Sequence, residues 1–317
     1  MDNWLEYSTN IGSETPVTPL ILYVPGLRPK PEAGPHREAL FRCLVQGIRR
    51  IDAAAADEIV AADHCFDIVS WTYDFYGEHR AIAIDAAAID AVIAQEGATP
   101  TDIAEASSWR RRLMRWLYTL GDRMPFLMPH FAGDRMGQHL RDLRRYVRND
   151  HNIAEHTRQL FKMPLRAAAK SGRPILVIAH SMGSMIVYDS LWQLSHNGHD
   201  QLNIDLLLTM GSPLGQHYIQ KRIKGHAKML TQRYPTNIRR WVNLSALGDL
   251  TAIDPALRND FNEMVESGLV EDLQDVRLIN YFRLHGKLNA HSEYGYLVNE
   301  GTARIVTDWW RAQSQTG

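Results

Sequence analysis

The chain has 317 residues, a formal net charge of -1 at pH 7, 45% hydrophobic and 22% charged residues, a globular composition sufficient for one large domain or two small ones. Lys+Arg at 35 against Asp+Glu at 36 leaves no global positive excess, so an electrostatic nucleic-acid footprint is not expected and any basic surface must be local. No apolar run approaches the about 18 residues of a membrane span, and the acidic start Met1-Asp2-Asn3-Trp4-Leu5-Glu6 has no apolar signal segment, so a cytoplasmic, unanchored protein is expected. Cys43 and Cys65 form neither a disulfide framework nor a C-x-x-C pair and read as buried small hydrophobes.

In chain order, Pro19 to Val24 predicts a first strand and Pro35 to Ile59 a crossover helix, with Leu40, Phe41, Leu44, Val45 and Ile48 at helical spacing. Phe66 to Thr72 predicts a second strand. About 100 residues then separate it from the next, far more than one crossover needs. Within them Ala81 to Ala94, Ala106 to Leu120, Gly137 to Val147 and Ile153 to Lys170 read as helices, with Met124 to Pro129 as a break. Residues 77–150 are expected to form a helical cap on the sheet and not a separate domain, so that 1–317 is a single domain. Further strands are predicted at Pro174 to Ala179, Ile204 to Met210, Arg239 to Leu244 and Val276 to Phe282, before a closing helix from Glu300 to Trp310. Near-continuous apolar strands alternating with helices predict an α/β fold with a mostly parallel sheet of about six core strands.

The most informative segment is Ile178-Ala179-His180-Ser181-Met182-Gly183-Ser184. An apolar strand runs directly into it, and a helical pattern, Met185 to Leu191, runs directly out. A strand, a sharp turn and a helix around one serine make a nucleophile elbow, and the strained turn needs small neighbours, here Ala179 and Gly183. The helix amino terminus adds partial positive charge where an oxyanion would develop.

On these residues the chain resembles the α/β-hydrolase fold family, with Ala179 where the motif usually has Gly. The resemblance implies an early strand ending in an oxyanion loop, an acid after a later strand, and a histidine after the last strand. Leu20 to Val24 runs into Pro25-Gly26-Leu27, where Gly26 would let the backbone approach the substrate and the Leu27 and Met182 amides would receive the oxyanion. Trp241-Val242-Asn243-Leu244-Ser245-Ala246-Leu247-Gly248-Asp249 resembles the "W-x-N…D" stretch of lipase- and esterase-like members and puts Asp249 at the acid, with Asp254 as a competitor. His291, in His291-Ser292-Glu293-Tyr294, falls where the histidine is implied. His180 is expected to pack or hydrogen-bond and not to act as base. Gly211-Ser212-Pro213-Leu214-Gly215 resembles the "GSP" turns of lipase-like relatives and is expected to line the pocket, with Ser212 touching substrate.

The implied chemistry is acyl transfer to water by a serine carboxylic-ester hydrolase, with Ser181 as nucleophile, His291 as base and Asp249 as its orienter, and without metal or cofactor. His196-Asn197-Gly198-His199 has a ligand-like spacing but reads as a loop. Thioesterase, amidase and phospholipid acyl hydrolase chemistry use the same residues, and a non-catalytic ligand- or membrane-binding protein on the same fold is the alternative of another class. In the second cap helix Trp109, Leu113, Trp116, Leu117 and Leu120 share a face, and Trp109 to Arg148 holds ten Arg and three Asp, a local charge of +7. The expectation is that this apolar face, with Trp109 and Trp116, packs over the pocket together with Phe126, Leu127 and Met128 and selects a hydrophobic acyl substrate, its arginines in water. A peripheral contact with anionic lipid through the basic cap is the other reading.

Overall fold

The computed structural model describes residues 17–123, 134–197 and 202–314. Six parallel strands form one sheet: β1 (Leu20–Val24), β2 (Phe66–Ile68), β3 (Ile175–His180), β4 (Ile204–Met210), β5 (Ile238–Ala246) and β6 (Asp272–Leu278). Their order is β2-β1-β3-β4-β5-β6, and a short antiparallel hairpin, β7 (Arg283–Leu284) with β8 (Lys287–Leu288), stands apart. The helices are α1 (Ala33–Ile51), α2 (Ala53–Ala61), α3 (Thr72–Tyr76), α4 (Ala83–Ala94), α5 (Pro100–Ala106), α6 (Trp109–Arg123), α7 (Asp134–Arg148), α8 (Ile153–Lys170), α9 (Met182–Asn197), α10 (His217–Gln220), α11 (Leu257–Glu266), α12 (Glu293–Leu297) and α13 (Glu300–Ser314).

Alternation along the strands builds two cores. Leu20, Leu22, Val24, Val177 and Ala179 face one layer, which includes Phe161 and Leu165 of α8, Leu191 of α9 and Phe261 of α11. Ile21, Tyr23, Ile178 and Leu208 face the other, with Leu40 and Leu44 of α1, Ile59 of α2 and Val306 of α13. Cys43 and Cys65 are buried in this second layer, where burial pushes their thiols up to about 12 and about 11. Among the described residues no helix is long and apolar enough to cross a membrane.

The strand order reverses between β1 and β3, because the chain leaves β1 toward β2 on one side and later returns to the other. Loops leaving the carboxyl ends of these two strands diverge, and the crevice between them is where α/β sheets place their ligands. Val24 is in register with Ala179, so the loop after β1 and the turn after β3 emerge side by side.

Several boundaries differ from expectation for local reasons. The helix expected over Pro35 to Ile59 breaks at Asp52, which is extended and whose carboxylate accepts the Ala55 amide as the cap of α2. The second strand stops at Ile68, and Thr72 already begins α3. The helix expected over Ala106 to Leu120 runs from Trp109 to Arg123, and a separate short helix, α5, precedes it, its start closed by a capping box of Thr99 and Asp102. The last strand of the sheet is Asp272–Leu278, not Val276 to Phe282. It is the edge strand and carries polar residues, among them Asp275, which accepts the Leu257 and Arg258 amides at the start of α11. The break expected over Met124 to Pro129 lies outside the described residues.

Candidate active site

Ser181 follows β3 at φ +54, a left-handed conformation costly for a residue with a Cβ, and its amide donates to Met210 O at 2.9 Å. The turn survives because its surroundings leave no alternative. A Cβ at Gly183 would strike the carbonyl oxygens of Val24 and Pro25, so only glycine lets α9 start this close to the end of β1. A Cβ at Gly26 would stand 2.7 Å from Ser181 Cβ and 3.2 Å from its Oγ, so the bare backbone after β1 lies against the hydroxyl. Pro25 O accepts from Trp71 Nε1 at 2.9 Å, and the Arg28 amide donates to Tyr76 Oη at 3.0 Å, fixing the loop. Among the described residues neither the Leu27 nor the Met182 amide has a protein acceptor, and both residues border the same cavity as Ser181.

Three side chains from distant parts of the chain meet here. His291 Nε2 is 2.9 Å from Ser181 Oγ, and His291 Nδ1 is 2.8 Å from Asp249 Oδ2. An ionised carboxylate only accepts, so the imidazole proton sits on Nδ1 and the Nε2 lone pair faces the serine hydroxyl. Burial pushes the Asp249 carboxyl up, but the His291 charge and hydrogen bonds from His291, the Thr251 amide and Tyr296 outweigh it and hold the group below its ordinary value. Asp254 is elsewhere: its Oδ1 accepts the Ala256 amide at 3.0 Å in a local turn.

Two partners of this chain were not legible in the sequence. Tyr296, fully buried, donates its hydroxyl to Asp249 Oδ2 at 2.8 Å and accepts the Ala246 amide at 2.8 Å, so the carboxylate is held from three sides. Gly211, at φ +56, lies where a Cβ would stand 2.8 Å from Asp249 Oδ2 and 2.9 Å from His291 Nδ1. The "GSP" turn is therefore built for the approach of the acid to the histidine. Ser212 is not in the cavity wall as expected; its hydroxyl bonds Ser184 Oγ at 2.8 Å and accepts the Leu214 amide, bracing the first turn of α9 from behind. Trp241 and Asn243 of the "W-x-N" stretch also act at a distance. Trp241 Nε1 donates to Thr209 Oγ1, which donates to Asn243 Oδ1, while Asn243 Nδ2 donates to Asp275 Oδ1, a buried polar ladder across β4, β5 and β6.

Behind the serine, Glu293 collects Lys30 Nζ at 2.8 Å, His36 Nε2 at 3.1 Å and Tyr23 Oη at 3.0 Å. Burial opposes its ionisation, but the Lys30 charge and then His36 hold it well below the usual carboxylate range. This ties the loop after β1, through Lys30, to the loop that carries His291. His180 packs its ring 4.7 Å from that of His291 and donates Nε2–H to the His291 carbonyl at 3.0 Å. Burial, reinforced by the His291 charge, pushes its pKa down to about 3, so His180 is a neutral support and not a base.

A depressed imidazole binds no proton in the folded chain at a pH where the unfolded chain, titrating near about 6.5, already does. The stability it contributes is complete above about pH 6.5 and is lost as pH falls toward the folded value of about 3. Replacing His180→Phe is expected to flatten the pH dependence of unfolding between about pH 5 and 6.5, above the carboxylate range, by up to about 1.4 kcal/mol per pH unit. Urea denaturation at stepped pH reads this slope; equal slopes in both proteins would show that His180 titrates normally.

From Ser181 a cavity of about 120 Å³ opens between α6, α7 and the loops after β4 and β5, with Leu27, Tyr118, Leu143, Met182, Ile219 and Ile253 among its walls. Trp109 and Trp116 do not line it: they are 68% and 61% exposed. The reason is that arginines, expected in water, anchor α6. Arg111 donates to Gly248 O at 3.0 Å and Leu288 O at 2.8 Å, and Arg115 donates to Ile253 O at 3.1 Å. These bonds turn the helix so that Tyr118 and Gly121 face the cavity. Phe126, Leu127 and Met128 lie outside the described residues. His196 gives its ring to Tyr234 O at 2.8 Å, and His199 lies outside the described residues.

No known family model, curated protein or solved structure matches the chain.

Proposed function

We propose that the chain has the α/β-hydrolase fold, with residues 77–150 as its helical cap, and that it is a serine hydrolase of carboxylic esters. The observation that carries this reading is the unbroken relay from Ser181 Oγ through His291 to Asp249 at the crevice where the strand order reverses. A serine hydroxyl with an imidazole lone pair at 2.9 Å has a base in place, and the buried carboxylate keeps that base in the required tautomer.

In the reaction Ser181 Oγ attacks the acyl carbonyl while its proton passes to His291 Nε2. Asp249 stabilises the imidazolium, and the Leu27 and Met182 amides receive the negative charge on the carbonyl oxygen. His291 then protonates the departing alkoxide, leaving an acyl-serine. A water, deprotonated by His291, attacks this ester, and collapse of the second tetrahedral species returns the proton to Ser181 and releases the acid. Each amide donor of this kind contributes about 2.7 to 4 kcal/mol of transition-state stabilisation. The apolar walls of the cavity favour a hydrophobic acyl group over a charged one.

The test is turnover of matched oxygen-ester, thioester and amide substrates together with a chain-length series of p-nitrophenyl esters. The expected result is hydrolysis of oxygen esters, with kcat/KM rising from acetyl toward longer acyl chains. A preference for thioesters or amides would move the chemistry to those acyl groups, and a preference for small polar esters would remove the apolar acyl site. A folded chain that turns over none of them would leave the fold as a binding scaffold.

A further inference from the structure

We propose that the outer face of α6 is a docking surface for an anionic lipid bilayer. Trp109, Leu113 and Trp116 lie at i, i+4 and i+7 and are 68%, 45% and 61% exposed, an apolar stripe along one side of the helix. Arg110 and Arg112 are exposed beside it, and the Arg110 guanidinium lies 5.8 Å from the centre of the Trp109 ring. On α7, Arg141, Arg144 and Arg148 are exposed at i, i+3 and i+7, and Arg144 also borders the cavity.

Two acids of these helices, Asp122 and Asp142, are already engaged in hydrogen bonds. Asp122 accepts the His217 and Tyr218 amides at the start of α10, and Asp142 accepts the Tyr76 hydroxyl at 2.9 Å. The outward side of α6 is thus tryptophan and leucine flanked by arginine. Tryptophan settles at the depth of lipid headgroups, where its ring is in apolar surroundings and its N–H stays wet, and arginine pairs with phosphate there. A protein partner's apolar groove would satisfy the tryptophans but would bury the flanking arginines at a cost, whereas a bilayer surface takes both.

The surface is rigid. Arg111 and Arg115 anchor α6 to the loop after β5 and to β8 on its opposite side, so docking needs no movement of the helix. The same helix walls the cavity with Tyr118 and Gly121 on its inner side. Docking by itself does not depend on the hydrolase reading.

Co-sedimentation of the full chain with phosphatidylcholine vesicles, with and without phosphatidylglycerol, tests the proposal. Binding is expected only to the phosphatidylglycerol vesicles, weakening as salt rises, and equal in Ser181→Ala. Trp109→Ala/Trp116→Ala and Arg110→Glu/Arg112→Glu should each weaken it by about tenfold or more while leaving thermal unfolding unchanged, since these side chains are on the surface. Quenching of tryptophan fluorescence by brominated lipid should be lost in the Trp variant. Absence of binding, equal binding by the variants, or a homodimer that Trp109→Ala/Trp116→Ala converts to monomer would overturn it.

Discussion

Ser181→Ala should abolish ester hydrolysis, lowering kcat by about 10⁶-fold, because removing the nucleophile of such a relay costs as much as removing the whole relay. Labelling by a fluorophosphonate probe should vanish with it, since that probe reports the activated hydroxyl and not turnover. The fold should survive. Alanine relieves no packing at a position already enclosed by Gly26 and Gly183, and the backbone bond from residue 181 to Met210 O does not involve the side chain. A variant that unfolds normally, yet still labels and turns over, would dismiss Ser181 and with it the proposed chemistry.

Asp249→Asn should lower kcat by about 10⁴-fold, the magnitude expected when an imidazole is held in the wrong tautomer. The local hydrogen bonds make this site more sensitive than the charge alone suggests. Oδ1 already receives the Thr251 amide, and Oδ2 receives Tyr296 and His291. An asparagine has to place its NH₂ against one of these donors, and a donor facing Nδ1 drives the imidazole proton to Nε2, where it blocks the serine. Asp254→Asn is the matched control: its carboxylate accepts a turn amide outside the relay, and activity should not change. Equal losses in the two variants would remove Asp249 from the relay. Because the Asp249 carboxyl is held below its ordinary value, it remains ionised throughout the neutral range. Its stabilising contribution is present above the normal carboxylate range and is lost only as acid protonates it through the depressed folded value.

How much of this site the sequence carries depends on how local each constraint is. The elbow is legible because an apolar strand, a serine between small residues and an immediate helix are contiguous, although the carbonyls that demand Gly183 belong to the end of β1, far away in the chain. The two other relay members are placed by resemblance from chain order, and the geometry joins His291 to Ser181 across 110 residues and Asp249 to His291 across 42. Tyr296 and Gly211 carried no comparable signal. A tyrosine on a short buried helix and a glycine in a turn look ordinary until the acid and the histidine are seen to close on them. Glu293 is similar, since nothing local says that Lys30 and His36 converge on it.

Helix α6 shows the same division most plainly. Spacing alone establishes that α6 has an apolar and a basic side, because helical period is a property of consecutive residues. It does not say which side turns inward. That was decided by Arg111 and Arg115 reaching carbonyls more than a hundred residues away, which outweighs burying the tryptophans. By itself, then, the sequence determined the α/β class, the approximate course of the strands and the elbow serine, all of which follow from neighbouring residues. The tertiary structure alone decided the edge-strand boundary, the approach of Tyr296 and Gly211 to the acid, and the outward direction of Trp109 and Trp116. Those depend on contacts between residues far apart in the chain, and local pattern has no term for them.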